Sequence, residues 1–301
     1  MNGVLIIDKP AGLTSHDVVN RVRRILGQRS VGHLGTLDPL ATGVLPLVVG
    51  NLTRLAQFYC MSEKVYEGII RFGFATDTYD AEGEPTTSPK PVQLTLEQCR
   101  HLAASFQGMI EQIPPPFSAK KIHGVPAYRL ARKHQEVPLK RIKVEIKEFE
   151  IVDVETDRAN FRARAASGTY MRSVAHEMGQ QVGCGAHLAS LRRIALAEFE
   201  LADAHSLDEL AFAANAGRTE EIFIHPRKLL PQFPSVTANE EMAARIRSGR
   251  TVNLPELSRA KQVKVFLGQR ELIAIATRVA GTLFHPRIVL VTAEPQLATR
   301  A

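Results

Sequence analysis

Apolar positions in this chain fall into short runs and helical stripes, with no internal repeat and no low-complexity tract. Gly3 to Asp8 (GVLIID) is an apolar run stopped by charge, and it predicts a strand. The turn KPAGLTS follows, and Ser15 is placed to cap a helix with Asp17 in its first turn. Val18, Val19, Val22, Ile25 and Leu26 recur at helical spacing, with Arg21, Arg23 and Arg24 on the other faces and Gly27 at the end. Residues 28–43 are Gly-rich and irregular. Strands are predicted at Val44–Val49 and Val65–Phe74, and helices at Leu52–Met61 and Thr95–Gln107, the latter capped by Thr95. Residues 75–91 read as a polar loop and Pro114–Pro116 as a rigid connector.

Ile142 to Val154 alternates apolar and charged residues, the pattern of a half-exposed strand, and Phe161–Ala166 pairs with it across a turn at Asp157. A helix over Tyr170–Val182, a Gly-bounded loop and a strand near Leu196–Phe199 follow. The stretch Gln232-Phe233-Pro234 reads as a linker. Beyond it lie a helix (Glu240–Arg247), a turn at Ser248-Gly249, and strands near Val263–Leu267, Leu272–Val279 and Ile288–Val291. Strands and helices intermingle without a βαβ rhythm, which predicts a mixed α+β fold. The last ~65 residues, mostly β, suffice for a small appended domain.

Composition narrows the picture. The chain has 301 residues, 45% of them apolar, enough for a real core. No stretch reaches the ~18–20 apolar residues of a membrane span. Asp8 and Lys9 directly follow the first apolar run, unlike a secretory signal, so a cytoplasmic location is expected. Cys60, Cys99 and Cys184 are scattered and form no metal knuckle. The net charge of +7 is concentrated: residues 120–143 hold Lys120, Lys121, Arg129, Arg132, Lys133, Lys140, Arg141 and Lys143 against the single acid Glu136. Tyr128 lies among these cations, and Arg129, Arg132 and Lys133 fall at helical spacing. Cations with an interleaved aromatic suit a phosphate backbone.

The segment Gly32–Gly43, GHLGTLDPLATG, holds the candidate chemistry. Its glycines and Pro39 specify a tight backbone around one acid, Asp38. A carboxylate on a rigid loop serves as nucleophile or general base, or simply caps a turn. The segment lacks the terminal Gly-Lys-Ser/Thr of a phosphate-binding P-loop.

This segment closely resembles the catalytic motif of the TruB family, the bacterial tRNA pseudouridine-55 synthases. The resemblance extends to GVLIIDKPAGLTSHDVV (3–19), KVYEGIIRFGFATDTYDAEGE, GTYMR (168–172) and GCGAHLASLRR (183–193), in order across residues 1–195, and thins beyond about residue 200. It implies that Asp38 is the catalytic aspartate and that Tyr66 stacks on the flipped uracil. It implies too that Arg172 pairs with Asp38, that Tyr170 is a second active-site tyrosine and that Leu191 lines the base pocket. His33 would support the displaced loop bases, and Lys9 and Pro10 would buttress the active-site loop. Residues 119–143, with Lys120, Arg129, Arg132 and Lys133, would clamp RNA. The implied fold is a largely antiparallel pseudouridine synthase sheet over 1–232, with a small β-rich PUA-like RNA-binding domain over 235–301. The implied partner is the T stem-loop of tRNA, without guide RNA or membrane, and the protein is expected to be monomeric. The isomerisation changes no oxidation state, so no cofactor and no metal is expected. Asp38 as nucleophile and Asp38 as base in a glycal-forming elimination both stand. So do the same chemistry on another RNA uridine, a non-catalytic tRNA-binding or folding protein, and an enzyme acting on a small nucleotide.

Overall fold

The structure is a computed structural model that describes residues 1–118, 120–122, 124–131 and 138–290. Its strands are β1 (Gly3–Lys9), β2 (Val31–His33), β3 (Thr42–Val49), β4 (Lys64–Phe72), β5 (Gly108–Gln112), β6 (Lys121–Ile122), β7 (Val125–Pro126), β8 (Ile142–Glu155), β9 (Arg158–Ala165), β10 (Ala186–Leu196), β11 (Phe199–Glu200), β12 (Ser235–Ala238), β13 (Val252–Asn253), β14 (Gln262–Leu267), β15 (Glu271–Ala280) and β16 (Leu283–Val289). The helices are α1 (Ser15–Leu26), α2 (Leu96–Ala104), α3 (Ala127–Ala131), α4 (Met171–Val182), α5 (Leu207–Asn215) and α6 (Glu240–Arg247).

A nine-stranded sheet runs in the order β1-β3-β10-β4-β9-β8-β5, with β2 on β3 and β11 on β10. All its pairings are antiparallel except β10 with β3, which confirms the mixed α+β reading. A second, five-stranded sheet runs β12-β14-β15-β16-β13.

One apolar core packs α1, α2 and α4 on one face of the large sheet, through Val18, Val22, Ile70, Phe161, Val174 and Met178. A second core joins the two sheets: Val4, Ile6, Val44, Leu55 and Phe199 pack with Leu229, Phe266, Ile275 and Ile288. The stretch read as a linker lies in this seam. Phe233 stacks edge-to-face on Phe58 with centroids 5.4 Å apart, because its ring has apolar surface to bury there.

Several expectations need correction. Thr14, not Ser15, caps α1: the Thr14 hydroxyl accepts from Asp17 N, and Asp17 Oδ2 accepts from Thr14 N, a reciprocal capping box. Ser15 is buried one position further in and bonds elsewhere. The predicted helix Leu52–Met61 is a 3₁₀ run over Gly50–Phe58. There the Thr53 hydroxyl takes the Gly50 carbonyl (2.9 Å) that an α-helix would offer to an amide one turn on. The predicted loop after Gly183 is largely β10, at the centre of the large sheet. His187, Ser190, Arg192 and Arg193 break its apolar pattern, and of these His187 and Arg193 are buried. The irregular stretch 28–43 contains β2, and the final strand begins at Leu283 because Phe284, Pro286 and Ile288 alternate inward there.

Candidate active site

Asp38 lies on the loop between β2 and β3, which three buried side chains hold from beneath. Lys9 at the end of β1 is fully buried, and its ammonium donates to the carbonyls of Leu13 (2.6 Å), Pro10 (2.9 Å) and Pro39 (3.1 Å). Burial lowers its pKa to about 8, against the pull of Asp38. Pro10 is exposed and contributes only that carbonyl. Ser15 Oγ accepts from Leu37 N (2.8 Å) and donates to Leu37 O (3.1 Å), tying α1 to the residue before Asp38. Arg193 of β10 is wholly buried and donates to the carbonyls of Val44, Gly35 and Thr36. Gly43 ends the loop at φ +97°, where a Cβ would stand 2.2 Å from the Arg193 carbonyl oxygen.

Arg172, in the first turn of α4, is 4% exposed and places its Nε 2.9 Å from Asp38 Oδ2. Its other nitrogens are fixed: Nη1 donates to Thr78 O (3.1 Å) and Nη2 to Phe117 O (3.0 Å). Asp80 Oδ2 stands 3.5 Å from Nη1, and Asp80 Oδ1 accepts from the Thr78 hydroxyl and from Glu82 N. Burial raises the Asp38 pKa above the ordinary carboxylate value, and Asp80 adds to the rise, whereas Arg172 and Lys9 oppose it. The result is one carboxylate aimed by a guanidinium that cannot swing away.

Asp38 and Arg172 open into a cleft of about 420 Å³, a size suited to a small-molecule or nucleotide moiety. His33, Tyr66, Tyr170 and Leu191 line it, so the structure gathers them around Asp38. Tyr66 is buried on β4 opposite Arg193 of β10, and burial pushes its hydroxyl pKa up. Gln112 holds the Tyr170 backbone from both sides, donating to its carbonyl (3.0 Å) and accepting from its amide (2.8 Å). His33 has a lowered pKa, from burial and from Arg193. Lys120 is half-buried. The expected RNA contacts Arg132 and Lys133 lie outside the described residues, as does the side chain of Arg129. Among the described residues no group of three His, Cys, Asp or Glu could hold a metal ion, and no helix is long and apolar enough to cross a membrane.

Sequence reasoning missed Asp80, Arg193, Gln112, Ser15 and Lys64. Asp80 sits in TDTYDAEGE, where four acids share a polar loop and spacing does not favour one of them. For Arg193 a signal existed: of the two adjacent arginines that open RRIAL, a strand must turn one to each face, and the one turned inward must find partners.

Comparison with known proteins bears on the fold and the family. Among solved structures, a "Crystal Structure of a Cbf5-Nop10-Gar1 Complex" shares the fold, with a TM-score of 0.70 and 24% identity over 96% of this chain and 85% of that one. Residues 23–171 match the model of the TruB family pseudouridylate synthase (N terminal domain). Residues 172–230 match the tRNA pseudouridylate synthase B C-terminal domain, so that match ends before the five-stranded sheet. The chain is 50% identical to tRNA pseudouridine synthase B of Solibacter usitatus over 96% of its own length and 100% of the relative. It is 41% identical to tRNA pseudouridine synthase B of Geobacter sulfurreducens, covering 83% of this chain and 82% of that one. The chain belongs to the TruB family of pseudouridylate synthases, and is thereby an isomerase.

Proposed function

We propose that this protein converts uridine 55 in the T loop of tRNA to pseudouridine, with Asp38 as the catalytic carboxylate. The observation that carries the reading is the Asp38–Arg172 pair at the end of a nucleotide-sized cleft. Relatives at 50% and 41% identity are named tRNA pseudouridine synthase B, which supports tRNA as the substrate.

The reaction breaks the C1′–N1 bond, turns the uracil and joins C5 to C1′. The proton lost from C5 balances the one gained at N1. Asp38 acts either as nucleophile or as base in a glycal-forming elimination, and both routes need it ionised. Arg172 keeps the carboxylate aimed and Asp80 keeps Arg172 in place. The uridine must leave its stack to reach Asp38, and Tyr66 is the aromatic wall that receives it, with Leu191 on the apolar side. Tyr170 closes the cleft near Arg172. His33, half-buried at the cleft, supports the displaced loop bases.

Residues 1–232 form the catalytic domain, in which the basic segment 119–143 clamps the RNA backbone. Residues 235–301 form a PUA-like RNA-binding domain. The protein works in the cytoplasm as a monomer, without guide RNA and without cofactor.

Tritium release from a T stem-loop RNA labelled at uracil C5 tests the reading. Wild type releases tritium, while Asp38→Asn binds the RNA and releases none. Intact binding with no release by wild type would overturn the assignment.

A further inference from the structure

The cations in and beneath the cleft are not equivalent. Arg172 faces Asp38 and Asp80. Lys9 gives its ammonium to three carbonyls, and Arg193 donates to three more. Lys64 differs from all of these. It opens β4 two residues before Tyr66 and lines the same cleft, 9% exposed. Among the described residues its ammonium makes one hydrogen bond, to Ser62 O at 2.7 Å, against a capacity of three donors.

Lys64 also lies beside a second cation. A Cβ on Gly35 would meet Arg193 Nη1 at 3.4 Å and Lys64 Cε at 3.9 Å, so both side chains abut one glycine. Among the described residues neither Lys64 nor Arg193 has a carboxylate within ion-pair distance. Two neighbouring cations in a partly dehydrated wall, with no acid between them, raise the energy of the empty site. Burial and Arg193 together lower the Lys64 pKa to about 8. The same cleft is bounded by the start of α4, which has no acid in its first turn. Such a site lowers its energy when an anion enters. An ammonium with spare donors on a flexible stem is suited to bind one as a point charge.

We infer that Lys64 is a phosphate-binding residue that holds a phosphodiester flanking the nucleotide turned into the cleft. This rests on the proposed function, since the anion belongs to the RNA backbone. A flipped nucleotide brings a phosphate on each side, and Lys64 stands two residues from the Tyr66 wall that receives its base. Phosphate capture at this point helps hold the nucleotide out of the stack.

The test is a cycle between Lys64 and single phosphates. Binding of a T stem-loop RNA is measured against KCl concentration for wild type, Lys64→Gln and Lys64→Arg. The RNAs carry either native phosphates or one neutral methylphosphonate at each position flanking the target uridine. Lys64→Gln is expected to weaken binding about tenfold and to reduce the salt slope by about one, as loss of one phosphate contact does. Lys64→Arg keeps the charge and restores both. At one flanking position the methylphosphonate costs wild type about tenfold and costs Lys64→Gln nothing further.

A pH series adds a readout that a structural role would not move. Above pH 8 the free Lys64 is neutral, so wild-type affinity falls between pH 7 and 9, whereas Lys64→Arg holds its charge. Lys9, also near 8, titrates equally in both proteins, so the difference between them belongs to Lys64. Wild-type affinity and salt slope in Lys64→Gln would overturn the inference. So would methylphosphonates that cost Lys64→Gln as much as wild type at every position. Tritium release in the same samples reads the proposed reaction separately, so failure of one does not stand for failure of the other.

Discussion

The loop that carries Asp38 and the seam that seats the second sheet both rest on buried side chains, yet they are built from different materials. Under the loop, Lys9 and Arg193 each reach three backbone carbonyls and Ser15 holds Leu37 through both its amide and its carbonyl, and charge is taken out of water to do it. In the seam, Val4, Ile6 and Val44 meet Phe266, Ile275 and Ile288, and affinity comes from apolar area. Polar fastenings there include Arg54, whose Nη1 donates to Val289 O (2.7 Å). Glu198 accepts from Tyr59 OH (2.6 Å) and Leu230 N (2.9 Å), and Lys264 donates to the carbonyls of Arg227 and Leu229. Apolar packing tolerates small shifts, whereas directed hydrogen bonds fix a position. The molecule uses the second kind where a carboxylate must be aimed and the first where a domain must merely stay attached.

This contrast can be broken from either side. The largest effect belongs to Asp38→Asn, expected to lower turnover on the order of 10⁴-fold or more while leaving the thermal midpoint and RNA affinity close to wild type. Single-turnover tritium release beside a binding isotherm checks it. Next comes Phe266→Ala in the seam. Removing a fully buried ring should cost about 3–5 kcal/mol in urea unfolding, with kcat at 25 °C nearly unchanged.

A smaller effect sharpens the electrostatic half. The proposed reaction needs ionised Asp38, so the acid limb of turnover is expected to follow the raised pKa of that group. Asp80 contributes to the rise, so Asp80→Asn should move the limb of the pH–kcat profile to lower pH, with kcat on the plateau down about tenfold as Arg172 loosens. An unmoved limb would show that Asp80 does not act through Asp38. The smallest is Glu198→Gln. It keeps an acceptor for Tyr59 and Leu230 but loses the charge, for about 1 kcal/mol and a thermal midpoint about 2 °C lower.

The sequence was readable where one physical rule decides the outcome. Gly27 ends α1 and Thr95 caps α2 as their residue types require. The alternation from Ile142 foretold β8, and the motif around Asp38 foretold a rigid loop. It was unreadable where a long-range partner reverses a local preference. Arg193 looks like a surface residue until two carbonyls from the Asp38 loop and one from β3 surround it, and with it β10 looks like a loop. Ser15 looks like a cap because its bond to Leu37 spans 22 residues. Asp80 matters only because α4 brings Arg172 to it from 92 positions away, a distance no local pattern reports.

The seam also sets an order of events during synthesis. Val4 and Ile6 leave the ribosome well before Phe266, Leu272, Ile275 and Ile288, which cover them. The nascent large sheet therefore carries an open apolar stripe along β1 and β3 until β14 and the hairpin of β15 and β16 close over it. Release of a chain cut short before β14 leaves that stripe uncovered, ready to meet a copy of itself or a chaperone.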